Sequence, residues 1–277
     1  MAVTVASATR PQPIPGRAAP PPAVQATGVA HTFRGRDATD VPAIDRIDLD
    51  VTSGDLVALL GPSGCGKSTF LRVLSGLIQP THGTVRLGGA SVAEARSALG
   101  IGWLAQDDGL LPWLTVADNV GLPGRIGRRR AAVTAQSVGR MLADVGLADS
   151  ARRFPHELSG GMRQRAALAR ALVAEPHYLL LDEPFASLDE ITRERLGDLL
   201  LAVRAARRPT TLLVTHSVVE AVRLADRVLV LSSRPARIVA DVRIELDRPR
   251  RYDQAGFGSV VQRLQSELAA HGSDRDV

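Results

Sequence analysis

Apolar positions along this chain follow two periods, and the switch between them recurs. Residues 44–51 alternate apolar and polar side chains, the pattern of a strand with one exposed face. Leu56–Leu60 is apolar throughout and bounded by Gly54 and Gly61, which predicts a strand buried on both faces. After Lys67, the residues Phe70, Leu71, Val73, Leu74, Leu77 and Ile78 fall at helical spacing until Pro80 stops them. The unit is strand, glycine loop, helix.

Helical periodicity returns over residues 131–172, with breaks at Gly146, Pro155 and Gly160-Gly161, and predicts a mostly helical insertion. Residues 178–181, 211–215 and 228–231 are short apolar runs separated by helix-like stretches, the alternation of a parallel sheet with helices on its faces. A strand is expected from near Gln25 and a terminal helix over residues 256–270. Residues 1–23 carry Pro11, Pro13, Pro15, Pro20, Pro21 and Pro22 and no continuous apolar stretch, so they read as a disordered cytoplasmic leader, not a secretory signal. The organisation expected is a leader (1–23), one domain (24–240) with its helical part at about 107–175, and an extension (241–277) with a peripheral helix.

Composition narrows the function classes. No apolar run approaches the ~20 residues that a membrane-spanning helix needs. The single cysteine, Cys65, excludes an internal disulfide framework and a multi-cysteine metal site, and fits a reducing compartment. A net charge of +5 would suit nucleic acid, but five Phe, two Tyr and two Trp offer few stacking faces and no compact basic tract dominates. Residues 128–130, all arginine, read as a solvated loop, and no nucleic-acid partner is expected. Of 34 Lys plus Arg, Lys67 is the single lysine. Position 67 refuses arginine.

Gly61-Pro62-Ser63-Gly64-Cys65-Gly66-Lys67-Ser68-Thr69 fits G-x-x-x-x-G-K-[ST] and sits between the predicted strand and helix, as that motif requires. Its glycines let backbone N–H groups face an anion, and the following helix aims its positive dipole end at the phosphates. A compact ammonium fits inside so tight a loop where a planar guanidinium fork does not. Ser68 supplies a hydroxyl ligand for Mg²⁺, and Cys65 needs only to be small.

Residues 178–183 form an apolar strand ending in two carboxylates, delivered rigidly to a site at its C-terminal edge. Asp182 suits Mg²⁺ and Glu183 suits orienting or deprotonating a water. Ser159-Gly160-Gly161 opens a helix with Ser159 as N-cap, a second anion-binding device. One chain rarely needs two around one triphosphate, so this one suits a neighbour's nucleotide.

These three motifs together resemble the ATP-binding subunit of an ABC transporter over roughly residues 26–231, the Ser159 signature being more specific than the phosphate loop. The resemblance implies a RecA-like P-loop NTPase α/β core with a small antiparallel β portion and a helical signature subdomain. It also implies ATP and Mg²⁺ as cofactors, a sandwich dimer with a second copy, integral membrane permease subunits, and an extracytoplasmic solute-binding protein acting indirectly. Phe33 matches the aromatic that stacks on adenine, against a plain core role. Gln106 matches the glutamine linking Mg²⁺ and attacking water to the membrane partner, against a surface amide. Asp189 matches the dimer-contacting loop, against a helix cap. His216 matches the γ-phosphate sensor, against a polar strand end. Met162 departs from the glutamine many members carry there.

Within the family, residues 110–116, 182–189 and Arg248-Pro249-Arg250 are similar to subunits importing nitrate, sulfonates, taurine or related solutes, with pyrimidine precursors of thiamine as another option. Residues 110–114 are expected as an exposed apolar loop beside the permease groove. A non-transport ABC ATPase or a regulatory nucleotide-binding subunit is the alternative.

Overall fold

The computed structural model describes residues 23–35, 39–98, 100–126 and 133–272. The leader expectation therefore lies outside the described residues up to position 22, as does the arginine run at 128–130. Ala23, the last residue of the expected leader, is buried and donates its N–H to Val51 O at 2.8 Å.

Two sheets and a helical layer make up the structure. The smaller sheet is antiparallel, in the order β2 (Asp40–Val51), β1 (Val24–Arg34), β4 (His82–Leu87) and β5 (Ala90–Ser91). The larger runs β10 (Ile238–Arg243), β9 (Arg227–Leu231), β3 (Leu56–Leu60), β8 (Thr210–Thr215), β7 (Tyr178–Asp182) and β6 (Ile101–Leu104). Its strands are parallel except β10 at the edge.

Alternation along β3 divides the core. Leu56, Ala58 and Leu60 share a core cluster with α7 (Val218–Leu224), while Val57 and Leu59 face the antiparallel sheet and α1 (Lys67–Leu74). Strand β7 repeats this, with Leu179 and Leu181 on one side and Tyr178 and Leu180 on the other. A parallel strand covered on both faces has no polar face to show, which is why these runs are continuously apolar. The helical layer comprises α3 (Val116–Ile126), α4 (Ala135–Asp144) and α5 (Gly160–Leu172), with α2 (Val92–Ala98) beside the small sheet. Helices α6 (Glu190–Arg207) and α7 (Val218–Leu224) lead into β8 and β9.

The expected extension from 241 is not a separate piece. The division at residue 240 falls inside β10, which pairs with β9, and α8 (Phe257–Gly272) buries Phe257 and Leu264 in the main core. Arginines fasten the segment between them. Arg248 donates to Asp226 and Leu224 O, and the buried Arg250 donates to the carbonyls of Val222, Ala225, Ile244 and Leu246. Arg248 and Arg250 thus satisfy carbonyls at the end of α7 that helix geometry leaves unpaired.

Candidate nucleotide site

The phosphate loop joins β3 to α1, the central strand of the larger sheet to a helix packed on it. Gly66 has φ 121°, and a Cβ there would stand 2.5 Å from Ala43 O, so only glycine fits. Lys67 is buried, and its Nζ donates to Gly61 O at 2.8 Å and Pro62 O at 2.6 Å. Those carbonyls hold the ammonium inside the loop. Cys65 packs its small side chain in the core, with its Sγ 3.8 Å from Lys67 Nζ and its N–H turned toward Pro62 O at 3.4 Å.

Strand β7, separated from β3 by β8, carries Asp182 to the same point. Ser68 Oγ donates to Asp182 Oδ1 at 2.8 Å, while Asp182 Oδ2 is buried without a hydrogen-bond partner among the described residues. Burial pushes the Asp182 carboxyl up, opposed by the Ser68 hydrogen bond and the charges of Arg72 and Lys67. A buried carboxylate with an orphan oxygen is costly by itself. A hydroxyl and a carboxylate in contact, with one oxygen unspent, are hard donors that fit Mg²⁺.

The next residue, Glu183, takes φ +48°, a left-handed conformation that costs an ordinary residue about 1–2 kcal/mol. Its N–H still completes the sheet, donating to Val214 O at 3.0 Å. The bend sends the carboxylate toward β8, where His216 Nδ1 stands 3.4 Å from Glu183 Oε2.

A cleft of about 500 Å³ brings these groups together. Phosphate-loop residues Ser63, Gly64, Gly66, Lys67, Ser68 and Thr69 form its floor, and Gln106, Glu183 and His216 also line it. Phe33 comes from the small sheet, is 39% exposed, and stands edge-on to His31 at 4.5 Å. It is a cleft residue, not core. Arg234, whose Nε donates to Pro42 O close to Phe33, adds a cation to this side.

Ser159, Gly160, Gly161 and Asp189 do not line this cleft. Ser159 is exposed and caps α5, its Oγ accepting from Met162 N at 3.3 Å, and no acid occupies that helix's first turn. Asp189 caps α6 by accepting from Thr192 N at 2.9 Å, and hydrogen bonds from Thr192 hold its carboxyl below the usual range. The cap alternative for Asp189 is thus realised, on an exposed residue.

The loop after Gln106 differs from its expectation of general exposure. Leu110 is buried in the core and Leu111 and Leu114 are half-buried, while Trp113 is 69% exposed. The cause is Asn119, fully buried, which accepts from Leu111 N and donates to the carbonyls of Leu111, Leu114 and Thr115. Arg163 of α5 pairs with Asp108, and Arg170 donates to the carbonyls of Asp108 and Gly109. The signature helix and the Gln106 segment are therefore tied directly. Asn119, Arg234 and Glu220 are absent from the residues singled out in the sequence. Asn119 left a trace as the one amide in the apolar stripe Val116, Asn119, Val120.

Comparison with known proteins agrees with this geometry. Residues 44–186 match the ABC transporter family. The chain is 48% identical over 205 residues to the aliphatic sulfonates import ATP-binding protein SsuB 2 of Burkholderia lata, covering 74% of this chain and 72% of that one. It is 47% identical to SsuB 1 of Rhodococcus jostii, covering 86% and 89%. Among solved structures, the ATP-binding cassette MJ0796, dimeric in a post-hydrolysis state with ADP and Pi, superimposes with a TM-score of 0.74 at 28% identity, over 81% of this chain and all of that one. With a phosphate loop, a paired Ser68 and Asp182 and a glutamate-lined cleft in place, the chain belongs to the ABC transporter family, as an ATPase subunit that works with ATP and Mg²⁺.

Proposed function

We propose that this chain is the ATP-hydrolysing subunit of an importer for small sulfonates, acting as a head-to-tail pair on the cytoplasmic side of permease subunits. The observation that carries the dimer is the separation of two anion-binding devices: the phosphate loop lines the cleft, whereas the exposed Ser159 at the start of α5 stands outside it. A second copy facing the first supplies its Ser159, Gly160 and Gly161 to the γ-phosphate held by Lys67.

In that arrangement Phe33 stacks on adenine and Lys67 with the loop N–H groups holds the β- and γ-phosphates. Ser68, Asp182 and Gln106 would hold Mg²⁺, which would supply neutralisation of phosphate charge. Water oxygen bonds to the γ-phosphorus as the bond to the bridging oxygen breaks. Glu183 takes the water's proton, and His216 holds the transferred phosphoryl group. Asp189, at the exposed start of α6, meets the second copy, and Gln106 relays its state to the permease through the loop that Asn119 shapes.

The exposed Trp113 next to that relay supports a permease contact, because a large indole covered by a partner buries much apolar area and keeps its N–H for a hydrogen bond. The helices described between Lys67 and Ser159 span at most 11 residues, which disfavours a chromosome-organising ATPase built on a long coiled coil. A sulfonate, the class that includes taurine, is preferred over nitrate because the curated relatives above are aliphatic sulfonate import proteins. Uptake of labelled aliphatic sulfonate, taurine and nitrate by cells with and without this chain tests the assignment. Loss of sulfonate uptake alone is expected; loss of nitrate uptake alone overturns the solute.

A further inference from the structure

The turn that presents His216 is held by a residue the proposed mechanism does not use. Strand β8 ends at Thr215, His216 follows, and Ser217 caps α7. Ser217 and Glu220 have the spacing of a capping box, in which the glutamate reaches back to the N-cap N–H. Here that reciprocal bond is replaced. Ser217 N–H donates to Thr215 Oγ1 at 3.0 Å, and the Thr215 hydroxyl donates in turn to Glu220 Oε2 at 2.8 Å. Glu220 N–H closes the ring by donating to Ser217 Oγ at 3.3 Å.

The ring brackets His216 on both sides. Thr215 is buried, whereas the His216 side chain is 60% exposed and faces Glu183 at 3.4 Å. Glu220 also has a second carboxyl oxygen, Oε1, sealed from solvent with no hydrogen-bond partner among the described residues. A cavity of about 250 Å³ lies there, lined by Glu183, Arg193, Thr215, His216 and Glu220 among others. A helix cap alone does not call for a carboxyl placed at such cost, since Ser217 already caps α7 with its own hydroxyl.

We propose that Glu220 is a positioning residue for His216: by accepting the Thr215 hydroxyl it fixes the Thr215 to Ser217 turn, so that the imidazole stays beside Glu183 over the γ-phosphate position. This rests on the reading that His216 acts on bound ATP. The Thr215 hydroxyl, held by Glu220, leaves its lone pairs for Ser217 N–H, so loss of the carboxyl frees the hydroxyl to rotate and loosens both flanks of His216 together.

The test is a mutant cycle on the purified full-length protein, with Mg-ATP turnover and ATP affinity measured separately. Glu220→Ala is expected to lower kcat by roughly 10-fold to 100-fold, the scale of a misplaced group, with ATP affinity within about twofold of the parent. Glu220→Gln restores most of the rate, because its amide oxygen accepts the same hydroxyl. In a His216→Ala background, Glu220→Ala has no further effect. Thr215→Val, isosteric and lacking the donor, gives the same pattern and stands in for Glu220→Ala should that variant not fold. Parental turnover in Glu220→Ala, a Gln variant as slow as Ala, or losses that multiply with His216→Ala would overturn the proposal. Parental turnover in His216→Ala would instead remove the role of His216, and this inference with it.

Discussion

Ser68 Oγ donates to Asp182 Oδ1 across 2.8 Å, although 114 residues separate them in the chain. The two reach each other because β3 and β7 flank β8 in one parallel sheet and both end at the same edge. Loops at that edge are where open α/β sheets hold their ligands.

The pair sets the expected response to magnesium. Asp182→Asn removes a buried charge whose desolvation is unfavourable, so the protein without nucleotide keeps or gains melting temperature. Mg²⁺ then tightens ATP binding far less, by at least the roughly 10- to 100-fold that loss of an outer partner costs a metal site. Titration with ATP in Mg²⁺ and in EDTA checks both halves.

Lys67 has two carbonyls close around its ammonium, at 2.8 and 2.6 Å. A guanidinium is wider and planar and does not enter that space. Lys67→Arg therefore abolishes hydrolysis as fully as Lys67→Ala in a phosphate-release assay, despite keeping the charge.

Phe33 stands at the cleft, 39% exposed, with one ring edge against His31. Base stacking on such a face is worth about 1–3 kcal/mol, or about 5- to 150-fold in affinity. Phe33→Ala is expected to raise the ATP dissociation constant by that factor in calorimetry while turnover at saturating ATP is retained.

Glu220 gives stability a pH dependence. Burial pushes its carboxyl from 4.5 up to about 7, against the Thr215 hydrogen bond and Arg193, with Glu183 adding to the rise and Arg223 opposing it. His216 faces the same cavity, and Glu190, Glu194 and Tyr252 line the adjoining one. The folded state holds the proton more tightly than the unfolded chain, so stability falls as pH rises from 4.5 to about 7 and levels off above. At about 1.4 kcal/mol per pH unit, the effect reaches roughly 3 kcal/mol. Glu220→Gln does not ionise, so it melts several degrees above the parent at pH 8, and the difference vanishes by pH 4.5.

Legibility in the sequence tracked how local the cause was. Leu56–Leu60 and residues 178–181 were readable because a strand buried on both faces has no polar position to hide. The phosphate loop was readable because Gly66 answers a steric demand from Ala43 O that no other residue meets. Strand β10 escaped because an edge strand with mixed exposure has neither period, and its pairing with β9 is a tertiary choice. Glu220 escaped for a different reason. Its spacing from Ser217 fits an ordinary capping box, and only the fold shows Thr215 inserted into it. The arginines of Arg248-Pro249-Arg250, read as a family likeness, turn out to bind carbonyls at the end of α7 and beyond.

Glu183 tests the central claim most directly, because binding and cleavage separate there. In the proposed mechanism Lys67, Ser68 and Asp182 hold Mg-ATP, whereas Glu183, at φ +48°, acts on the attacking water. Glu183→Gln keeps the shape and removes the base, a loss of roughly 10²-fold to 10⁴-fold. Light scattering with Mg-ATP should then find a stable dimer of this variant, and adding Ser159→Arg should return it to monomer by blocking the phosphate contact across the interface. A Glu183→Gln protein that hydrolyses ATP at the parental rate, or stays monomeric at high concentration with ATP bound, would contradict the paired mechanism.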